Sequence, residues 1–430
     1  MPEKNTQHGE KIPYGKGELE LKIPRKNHLA TLAPHFKPGL KDEAGAVKQA
    51  LGNPIGTKRL REMAKGKKSA VIVVNDITRP TATYKLLPFL IQELKDGGMK
   101  EEQVQFLVAT GTHRDNTKEE LEGMLGKEVV QRFKVVNHHC QDDSIMADLG
   151  KTSGGIPVVI NRLFWEAELK ITTATIAPHQ SAGFSGGRKS VLPGIASLAT
   201  LKEHHGFGMR SNKPAMGWVE GNPFHINALE AAKMAKTDFI LNTVQNDRKE
   251  ITQVVAGDVE KAWLEGVKTS REIFEVKVPR PADIVITTPG GFPKDIDLYQ
   301  SQKSMASSEL VVKEGGTVIL LAECKDGVGA RGFYEWMSAA TCPQDVIDRF
   351  IREGYSIGAS KAWLFSRCLK RSNLILVSKS IDAQTLEEMF TQKADSAEQA
   401  IRMALDKHGE NAEIILLKNG SDMVPRFEGR

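Results

Sequence analysis

The stretch SAVIVVNDITRP, residues 69–80, shows the pattern on which the fold prediction is based. Residues 69–75 are mostly β-branched and apolar, which is typical of a strand buried in a sheet. A polar turn follows, and Pro80 can occupy the first turn of a helix. A buried strand that leads through a polar loop into a helix is the repeating unit of α/β proteins.

The same unit recurs along the chain. Similar apolar runs lie at 104–110, 168–174 and 238–244, and a second series lies at 282–288, 316–322, 374–378 and 413–418. The polar, proline-containing stretch KVPRPA at 277–282 separates the two series. A chain of 430 residues is also too long for one hydrophobic core. We therefore predict two α/β domains with mostly parallel sheets, residues 1–276 and 277–430.

The polar loops that follow the strands indicate where a ligand binds. In open α/β sheets, ligands bind beyond the carboxyl ends of the strands. The loops NDITRP, GTHR, 178–194 and TPGGFPKD each follow a predicted strand. We expect one active site built from all four loops, in the cleft between the two domains.

The composition is typical of a globular protein, with 40% hydrophobic and 26% charged residues. No apolar run is long enough to span a membrane, and the N-terminus lacks the apolar core of a signal peptide. The N-terminal segment reads as a polar tail leading into an edge strand. We expect a cytoplasmic protein that acts without a membrane partner.

The net charge of +5 suits an anionic small molecule. No basic stripe interleaved with aromatic residues indicates nucleic-acid binding. The cysteines at 140, 324, 342 and 368 are far apart and form no C-x-x-C pair. Neither a disulfide framework nor a cysteine zinc site is expected.

Asp76, Arg79 and His113 lie at the ends of two successive predicted strands. Arg79 can bind a carboxylate or phosphate through its guanidinium, or it can brace a turn with Asp76. His113 can exchange a proton near neutral pH, although a loop histidine is more often a hydrogen-bonding or solvated residue.

The segment PHQSAGFSGGRKSVLPG, residues 178–194, contains the most candidate functional residues. It combines His179 and Lys189 with glycines, of which Gly186 and Gly187 can bring the backbone close to a ligand. The string GFSGGRKS resembles a phosphate-binding P-loop, but Arg188 stands where that motif requires glycine. A lysine in such a loop can instead anchor a cofactor covalently, since a desolvated amine is nucleophilic.

Three further segments contribute candidates. His204 and His205 are adjacent and point to different helix faces, so at most one is expected in the site. A metalloprotease H-E-x-x-H pattern does not occur, and a single histidine would need a cofactor to supply the other metal ligands. Tyr299, Gln300 and Lys303 can share one helix face and bind a carboxylate, or they can form a solvated face. Trp363 can wall an apolar pocket or belong to the core.

Together, and in this order along the chain, these segments resemble the lactate racemase family, whose members use a nickel-pincer nucleotide. The resemblance extends from NDITRP to SKAWLFSR, about two thirds of the chain. It implies two α/β domains with the active site between them. It also implies a racemase or epimerase of 2-hydroxyacids that transfers a hydride reversibly through a 2-ketoacid.

The resemblance also implies roles for single residues. Lys189 matches the lysine that holds the cofactor, a pyridinium-3,5-bisthiocarboxylic acid mononucleotide of nickel, and His205 matches the histidine that completes the nickel coordination. His113 and His179 match the paired catalytic histidines. The remaining matches belong to the surroundings of the site, with Arg79 and Lys303 as candidates for the substrate carboxylate: Asp76, Arg79, Tyr299, Gln300, Lys303 and Trp363.

The first of three hypotheses is this 2-hydroxyacid racemase or epimerase. Its substrate would be lactate or a related 2-hydroxyacid, and separate biosynthetic proteins would supply its cofactor. A phosphate-binding or NTP-hydrolysing protein that uses residues 183–190 is the competing hypothesis, and a cofactor-storage protein without turnover is the third.

Overall fold

The computed structural model describes residues 7–79, 81–209, 214–356 and 358–427. The chain forms two compact units. The central unit comprises Phe36–Met209 and Trp218–Ile273. The terminal unit comprises the chain up to His35, a short segment that ends at Gly217, and the chain from Phe274 onward.

The elements are numbered in chain order, and β1 to β3 belong to the terminal unit: β1 (Gln7–Tyr14), β2 (Gly17–Pro24) and β3 (His28–Leu32). The strands of the central unit are β4 (Ala70–Asn75), β5 (Val104–Ala109), β6 (Lys134–Asn137), β7 (Met146–Lys151), β8 (Pro157–Asn161), β9 (Leu169–Ile176), β10 (Pro178–His179), β11 (Gly183–Phe184), β12 (Phe239–Gln245) and β13 (Ile251–Gly257). Its helices are α1 (Glu43–Gly52), α2 (Leu60–Met63), α3 (Thr83–Asp96), α4 (Lys118–Leu125), α5 (Lys127–Arg132), α6 (Arg162–Glu166), α7 (Leu198–His204), α8 (Pro223–Met234) and α9 (Lys261–Phe274).

The remaining elements belong to the terminal unit. Its further strands are β14 (Glu275–Val278), β15 (Ala282–Thr287), β16 (Val312–Leu321), β17 (Asn373–Val377), β18 (Gln392–Ala394), β19 (Ile414–Leu417) and β20 (Val424–Phe427). Its helices are α10 (Leu298–Ser301), α11 (Met305–Val311), α12 (Arg331–Ser338), α13 (Pro343–Glu353), α14 (Ala359–Arg371), α15 (Ala383–Glu388) and α16 (Ala397–His408). Short 3-10 turns lie at Glu101–Gln103, Asp143–Ile145, Gly187–Ser190, Phe207–Met209 and Gln302–Ser304.

The central unit is built on a six-stranded sheet with the order β13-β12-β9-β4-β5-β6. All neighbours in this sheet are parallel except β12 and β13. The strands β9, β4 and β5 are adjacent, and the loops with the candidate residues follow them. Because parallel strands end at the same edge of a sheet, this topology brings the three loops together.

The terminal unit contains a second six-stranded sheet with the order β18-β17-β16-β15-β19-β3, and every pair in it is parallel. The hairpin of β1 and β2 packs its buried side chains, Ile12, Leu21 and Ile23, into the core of this unit. The loop after β15 leads into the segment that contains Tyr299, Gln300 and Lys303.

The predicted α/β class with mostly parallel sheets is confirmed. Each of the eight apolar runs forms one of the central strands, and the observed ends differ from the predicted ones by a few residues. The first domain, predicted as 1–276, needs a correction at its beginning. The chain up to His35 groups with the terminal unit, because β3 pairs with β19 through backbone hydrogen bonds that no local pattern reveals.

Among the described residues, no helix has both the length and the apolar character that crossing a membrane requires. All four cysteines are free thiols, and Cys140, Cys324 and Cys368 are buried as packing residues.

Candidate active site

Asp76 and His113 form a hydrogen-bonded pair at the ends of β4 and β5. The Nδ1 atom of His113 lies 2.6 Å from Oδ2 of Asp76, whose side chain is buried. Thr78 Oγ1 donates to the other carboxylate oxygen at 2.8 Å. A carboxylate accepts hydrogen bonds, so it holds the proton of neutral His113 on Nδ1. The lone pair of Nε2 is therefore available to take a proton.

Arg79 lies beside this pair and is largely exposed. Its Nη1 donates to the carbonyl oxygen of Thr78 at 3.3 Å. The alternative that Arg79 braces a turn through an ion pair with Asp76 finds no support, since the carboxylate binds Thr78 and His113. Its guanidinium is also one of the charges that lower the pKa of His179.

His179 has the opposite hydrogen-bonding pattern to His113. Its Nδ1 accepts the backbone N–H groups of Ser181 and Ala182, each at 3.1 Å. The proton of neutral His179 is therefore on Nε2. Burial lowers the pKa of His179 well below its usual value, and the charges of Lys189, Arg79 and Arg188 lower it further. His179 is thus a neutral imidazole with a donor at Nε2.

Lys189 faces this donor, with Nζ 3.3 Å from Nε2 of His179. Lys189 is thus placed beside His179, and the amine of a lysine in its unprotonated form attacks an electrophilic carbon. The amine also lies 5.4 Å from the centre of the Phe224 ring. The surroundings of Lys189 therefore suit a nucleophilic anchor.

Two side chains whose roles sequence reasoning missed, Arg188 and Trp263, hold the loop of Lys189 in place. Arg188 is fully buried, stacks 3.9 Å above the Trp263 ring, and donates to the carbonyl of Ala182 at 2.8 Å. Trp263 Nε1 donates to the carbonyl of Ser185 at 2.8 Å. Burial lowers the pKa of Arg188 to about 9. The unusual Arg-Lys pair in the loop was the one sequence signal that could have indicated Arg188. No local sequence signal indicated Trp263, which lies on α9.

Gly186 and Gly187 are required for packing against the protein itself. Both have positive φ angles, 76° and 53°. A Cβ atom on Gly187 would lie 2.8 Å from the Trp263 ring, and one on Gly186 would lie 2.7 Å from Ile176. The N–H of Gly187 donates to Oδ1 of Asn242 at 2.8 Å. A P-loop would direct this N–H to a phosphate, so the contact weakens the NTPase hypothesis. Cofactor binding by the two glycines stays a prediction.

The two adjacent histidines differ in exposure, as expected. His204 is fully buried, and its Nε2 lies 2.9 Å from the carbonyl of Phe224. His205 is partly exposed, and its ring lies 4.9 Å from that of Phe224. His205 and Lys189 thus both approach Phe224. Within the described part of the chain, no group of three or more His, Cys, Asp or Glu side chains is arranged to hold a metal ion.

Tyr299, Gln300 and Lys303 form the candidate set of the terminal unit. They lie on α10 and the 3-10 turn that continues it, and all three side chains are partly exposed. Lys303 Nζ donates to Oε1 of Gln300 at 2.7 Å. The side chain of Asp297 caps the helix by accepting the N–H of Gln300 at 2.6 Å. The predicted helical face is therefore present.

Trp363 is 1% exposed and packs as a core residue of the terminal unit. Its ring stacks on Phe350 with centroids 5.7 Å apart, and the guanidinium of Arg367 lies 5.1 Å from the centre of the Trp363 ring. Arg367 in turn forms a buried ion pair with Glu309 at 2.7 Å. The core interpretation accounts for this packing, and substrate contact by Trp363 stays a prediction.

Comparison with known proteins identifies the family. Residues 14–217 match the lactate racemase N-terminal domain, and residues 277–424 match the lactate racemase C-terminal domain. The chain belongs to the lactate racemase family. The lactate racemase of Thermoanaerobacterium thermosaccharolyticum is 37% identical over 422 residues, which cover 96% of this chain and 98% of that protein. The lactate racemase of Lactiplantibacillus plantarum is 34% identical over 420 residues, with the same coverage.

Solved structures agree with this assignment to the lactate racemase family. The lactate racemase apoprotein from T. thermosaccharolyticum superposes with a TM-score of 0.92 and 36% sequence identity, covering 97% of this chain and 100% of that chain. A protein from Thermotoga maritima reaches a TM-score of 0.64 at 20% identity, covering 92% of this chain and 100% of its own, which shows a shared fold. The predicted family is confirmed.

The residues around Lys189 fit the cofactor that the resemblance implies. One lysine amine, Lys189, and one partly exposed imidazole, His205, are the kinds of group that would anchor a nucleotide covalently and ligate a metal it carries. Buried polar atoms without a hydrogen-bond partner among the described residues also surround the loop: Ser190 Oγ, Arg188 Nε and Asn242 Nδ2. The donor set is thus compatible with a cofactor that supplies the remaining metal ligands.

Proposed function

We propose that this protein racemises or epimerises a 2-hydroxyacid, lactate or a related acid. The observation that carries the proposal is the complementary hydrogen bonding of the two histidines. Asp76 leaves Nε2 of His113 as a proton acceptor, whereas Ser181 and Ala182 leave Nε2 of His179 as a proton donor. A proton acceptor is required to remove the proton of the substrate hydroxyl group. A hydrogen-bond donor is required to stabilise the negative charge that develops on the substrate oxygen.

His113 is the base in this proposal. Its Nε2 takes the hydroxyl proton of the substrate, and the buried Asp76 carboxylate stabilises the imidazolium that forms. His179 donates a hydrogen bond from Nε2 to the substrate oxygen, as a neutral imidazole can in a site where burial keeps it uncharged. For His179 to act as base toward the other enantiomer, its contacts with the N–H groups of Ser181 and Ala182 must open.

The nickel-pincer nucleotide, when bound, would supply a reversible hydride acceptor for the substrate carbon, and inversion requires the 2-ketoacid to turn its other face toward that acceptor. Lys189 would hold this cofactor covalently, and His205 would ligate its nickel. Arg79 and Lys303 are our candidates for binding the substrate carboxylate, because a guanidinium and an ammonium both attract carboxylate oxygens.

The proposal also covers the supply of the cofactor, the cellular location and the choice of substrate. Separate biosynthetic proteins would make and deliver the cofactor. The protein would act in the cytoplasm on a small molecule, without nucleic-acid or membrane partners. The choice among 2-hydroxyacids depends on pocket shape, since one methylene changes binding by only ~1–3 kcal/mol.

Racemisation by cofactor-loaded protein tests the reaction. Each enantiomer of lactate and of a panel of 2-hydroxyacids is incubated with the protein and resolved by chiral chromatography. We expect His113→Ala to slow racemisation by ~10²–10⁴-fold. His139→Ala is the matched control, because His139 is an exposed histidine of the same unit. Protein that contains about one nickel per chain and racemises no acid of the panel would overturn the proposal.

Intact-mass spectrometry tests the anchor. Protein produced with the biosynthetic proteins should carry a mass increment that Lys189→Ala lacks and that Lys202→Ala, at an exposed lysine of α7, retains. An increment that persists in Lys189→Ala would show that the cofactor is attached elsewhere.

A further inference from the structure

Asn116 is a buried asparagine near His113 to which the proposed function gives no role. It lies in the loop after β5, and its residue surface is 5% exposed, whereas the side chain of His113 is 45% exposed. The Oδ1 atom of Asn116 accepts the backbone N–H of Ile77 at 2.9 Å. Because Ile77 directly follows Asp76, this bond holds the peptide group next to the carboxylate that binds His113. Asn116 thus links the loop of His113 to the loop of Asp76.

Asn137, the last residue of β6, fixes the orientation of the Asn116 side chain. Its Oδ1 atom accepts both the backbone N–H and the Nδ2 of Asn116, each at 3.1 Å. Its Nδ2 atom donates to the carbonyl oxygen of Asn116 at 3.3 Å. Since Nδ2 of Asn116 is bonded to an acceptor, its Oδ1 is left for the N–H of Ile77. The two asparagines therefore connect the ends of β4, β5 and β6, which are adjacent in the sheet.

Few other contacts join the two loops. Residues 77–79 and 110–116 form separate loops, each with a turn closed by its own backbone hydrogen bond. Among the residues that the structure describes, the bond accepted by Asn116 is the one hydrogen bond between these loops in which His113 takes no part. The backbone support for the 2.6 Å contact between His113 and Asp76 therefore comes from Asn116.

The contact between His113 and Asp76 decides which nitrogen of His113 carries the proton. Nδ1 keeps the proton only while it lies within hydrogen-bond distance of the carboxylate. A neutral imidazole that loses this contact populates both tautomers, and in the Nε2–H tautomer the Nε2 atom is a donor and accepts no proton. The position of the loop thus controls the fraction of His113 that is ready to act as a base.

We propose that Asn116, braced by Asn137, is a positioning residue that keeps the His113 ring in register with Asp76 and so maintains a free acceptor at Nε2. This inference rests on the proposed function, in which Nε2 of His113 takes the hydroxyl proton. It requires no bond between Asn116 and the substrate, because Asn116 acts through the backbone of the neighbouring loop.

Nuclear magnetic resonance of the full-length apoprotein, with histidine rings labelled with nitrogen-15, tests the positioning. Long-range correlations between the ring nitrogens and the ring C–H groups distinguish the Nδ1–H tautomer from the Nε2–H tautomer, and the spectrum of His113→Ala identifies the signals of His113. In alkaline buffer, where imidazoles are neutral, the wild type should show the Nδ1–H tautomer. Asn116→Ala should show a mixture of both tautomers. Asn116→Asp, which keeps an oxygen acceptor for the N–H of Ile77, should stay close to the wild type.

Asn227→Ala is the matched control. Asn227 is 4% exposed, lies on α8 of the same unit and forms hydrogen bonds with Thr152 and Pro223. Both alanine variants should lower the free energy of unfolding, because each removes a buried hydrogen-bonding amide. Only Asn116→Ala should change the tautomer of His113, which separates positioning from a general loss of stability.

Racemisation by cofactor-loaded protein gives the second readout. Asn116→Ala should lower kcat by about tenfold or more, because a displacement of about 1 Å in a catalytic group can cost ~10²-fold. KM should stay within about twofold of the wild-type value, since a loss confined to kcat indicates an interaction that acts in the transition state. Asn227→Ala should change neither constant.

Three results would overturn the inference: a wild type in which His113 is mainly the Nε2–H tautomer, a folded Asn116→Ala variant with the tautomer or the kcat of the wild type, and an equal change of tautomer in Asn227→Ala. If Asn116→Ala does not fold, Asn137→Ala, which removes the brace, takes its place and should show the same mixture of tautomers. The resonance experiment requires no turnover, so its outcome is separate from that of the racemisation panel. A tautomer that depends on Asn116 in a protein without racemase activity would retain the positioning and reject the proposed function.

Discussion

The loop of Lys189 and the segment of Tyr299 to Lys303 carry candidate residues in the two units, but they are held in different ways. The loop is fixed by residues distant in sequence: Trp263 binds the Ser185 carbonyl, and Asn242 binds the Gly187 N–H. The segment has a local cap, Asp297 on Gln300, and also distant contacts, since the N–H groups of Leu298 and Tyr299 donate to the carbonyls of Gly327 and Val328. The loop therefore depends on side chains from distant elements, whereas the turn of the segment also has a capping residue in its own sequence.

This difference has a consequence for chemistry. A covalent anchor must present one atom in one place, which requires a rigid support. The buried stack of Arg188 on Trp263 provides such support directly beside Lys189. Binding a carboxylate by charge, the role proposed for Lys303, tolerates more freedom than a covalent anchor, and the Lys303 and Gln300 side chains are partly exposed.

The largest effect is expected from Trp263→Ala, which removes the support of the loop. Loss of a fully buried tryptophan lowers the free energy of unfolding by ~3–5 kcal/mol. Urea unfolding followed by circular dichroism measures it. Leu264→Ala is the control on the same helix, because Leu264 is 39% exposed and should cost far less. An equal decrease in the free energy of unfolding of the two variants would contradict the claim that Trp263 supports the loop.

A smaller effect is expected from Asn242→Ala. It leaves the buried N–H of Gly187 without its acceptor, which costs ~1–3 kcal/mol. The same unfolding measurement applies. It should be paired with Asn53→Ala, which removes an exposed hydrogen bond to Gln49. If Asn242→Ala is as stable as Asn53→Ala, the loop does not depend on this contact.

The central unit should also lose stability in mild acid. Burial lowers the pKa of His225 to about 3 and that of His138 to about 4. Both are neutral in the folded state and take up a proton in the unfolded state below pH ~6.5, so their contribution is complete above that pH and is lost as the pH falls. At pH 5 each lowers the free energy of unfolding by roughly 1–2 kcal/mol.

Hydrogen exchange followed by mass spectrometry at pH 7.5 and pH 5, corrected for the intrinsic exchange rate, measures this loss separately in each unit. His225→Gln should reduce the pH dependence in the central unit, whereas His139→Gln, at an exposed histidine, should leave it unchanged. A pH dependence that is the same in His225→Gln and the wild type would refute the assignment to His225.

The smallest effect is expected from Gln300→Ala in the segment. The side chain is partly exposed, and its bond to Lys303 is local, so the free energy of unfolding should fall by less than ~1 kcal/mol. Gln302→Ala should cost more, because Gln302 is 1% exposed and accepts from the buried Lys361. Thermal unfolding of the two variants checks the order, and a larger loss in Gln300→Ala than in Gln302→Ala would contradict it.

The two regions also explain which predictions from sequence succeeded. The shared face of Tyr299 and Lys303 follows from helical spacing, and His204 and His205 diverge for the same reason. Resemblance placed Lys189 and His179 in one site, and the structure brings their side chains within 3.3 Å. The packing of Arg188 on Trp263 was missed, because their contact joins residues 75 apart and no local pattern indicates that these two side chains meet.

The sequence by itself determined the α/β class, the strands and the family, because apolar periodicity and an ordered set of motifs are local properties. Only the tertiary structure decided that β3 joins the terminal sheet, that His113 and His179 carry their protons on different nitrogens, and that Lys361 faces Tyr299. The physical reason is common to all three. Each depends on a hydrogen bond or charge contact that forms only when distant parts of the chain have come together.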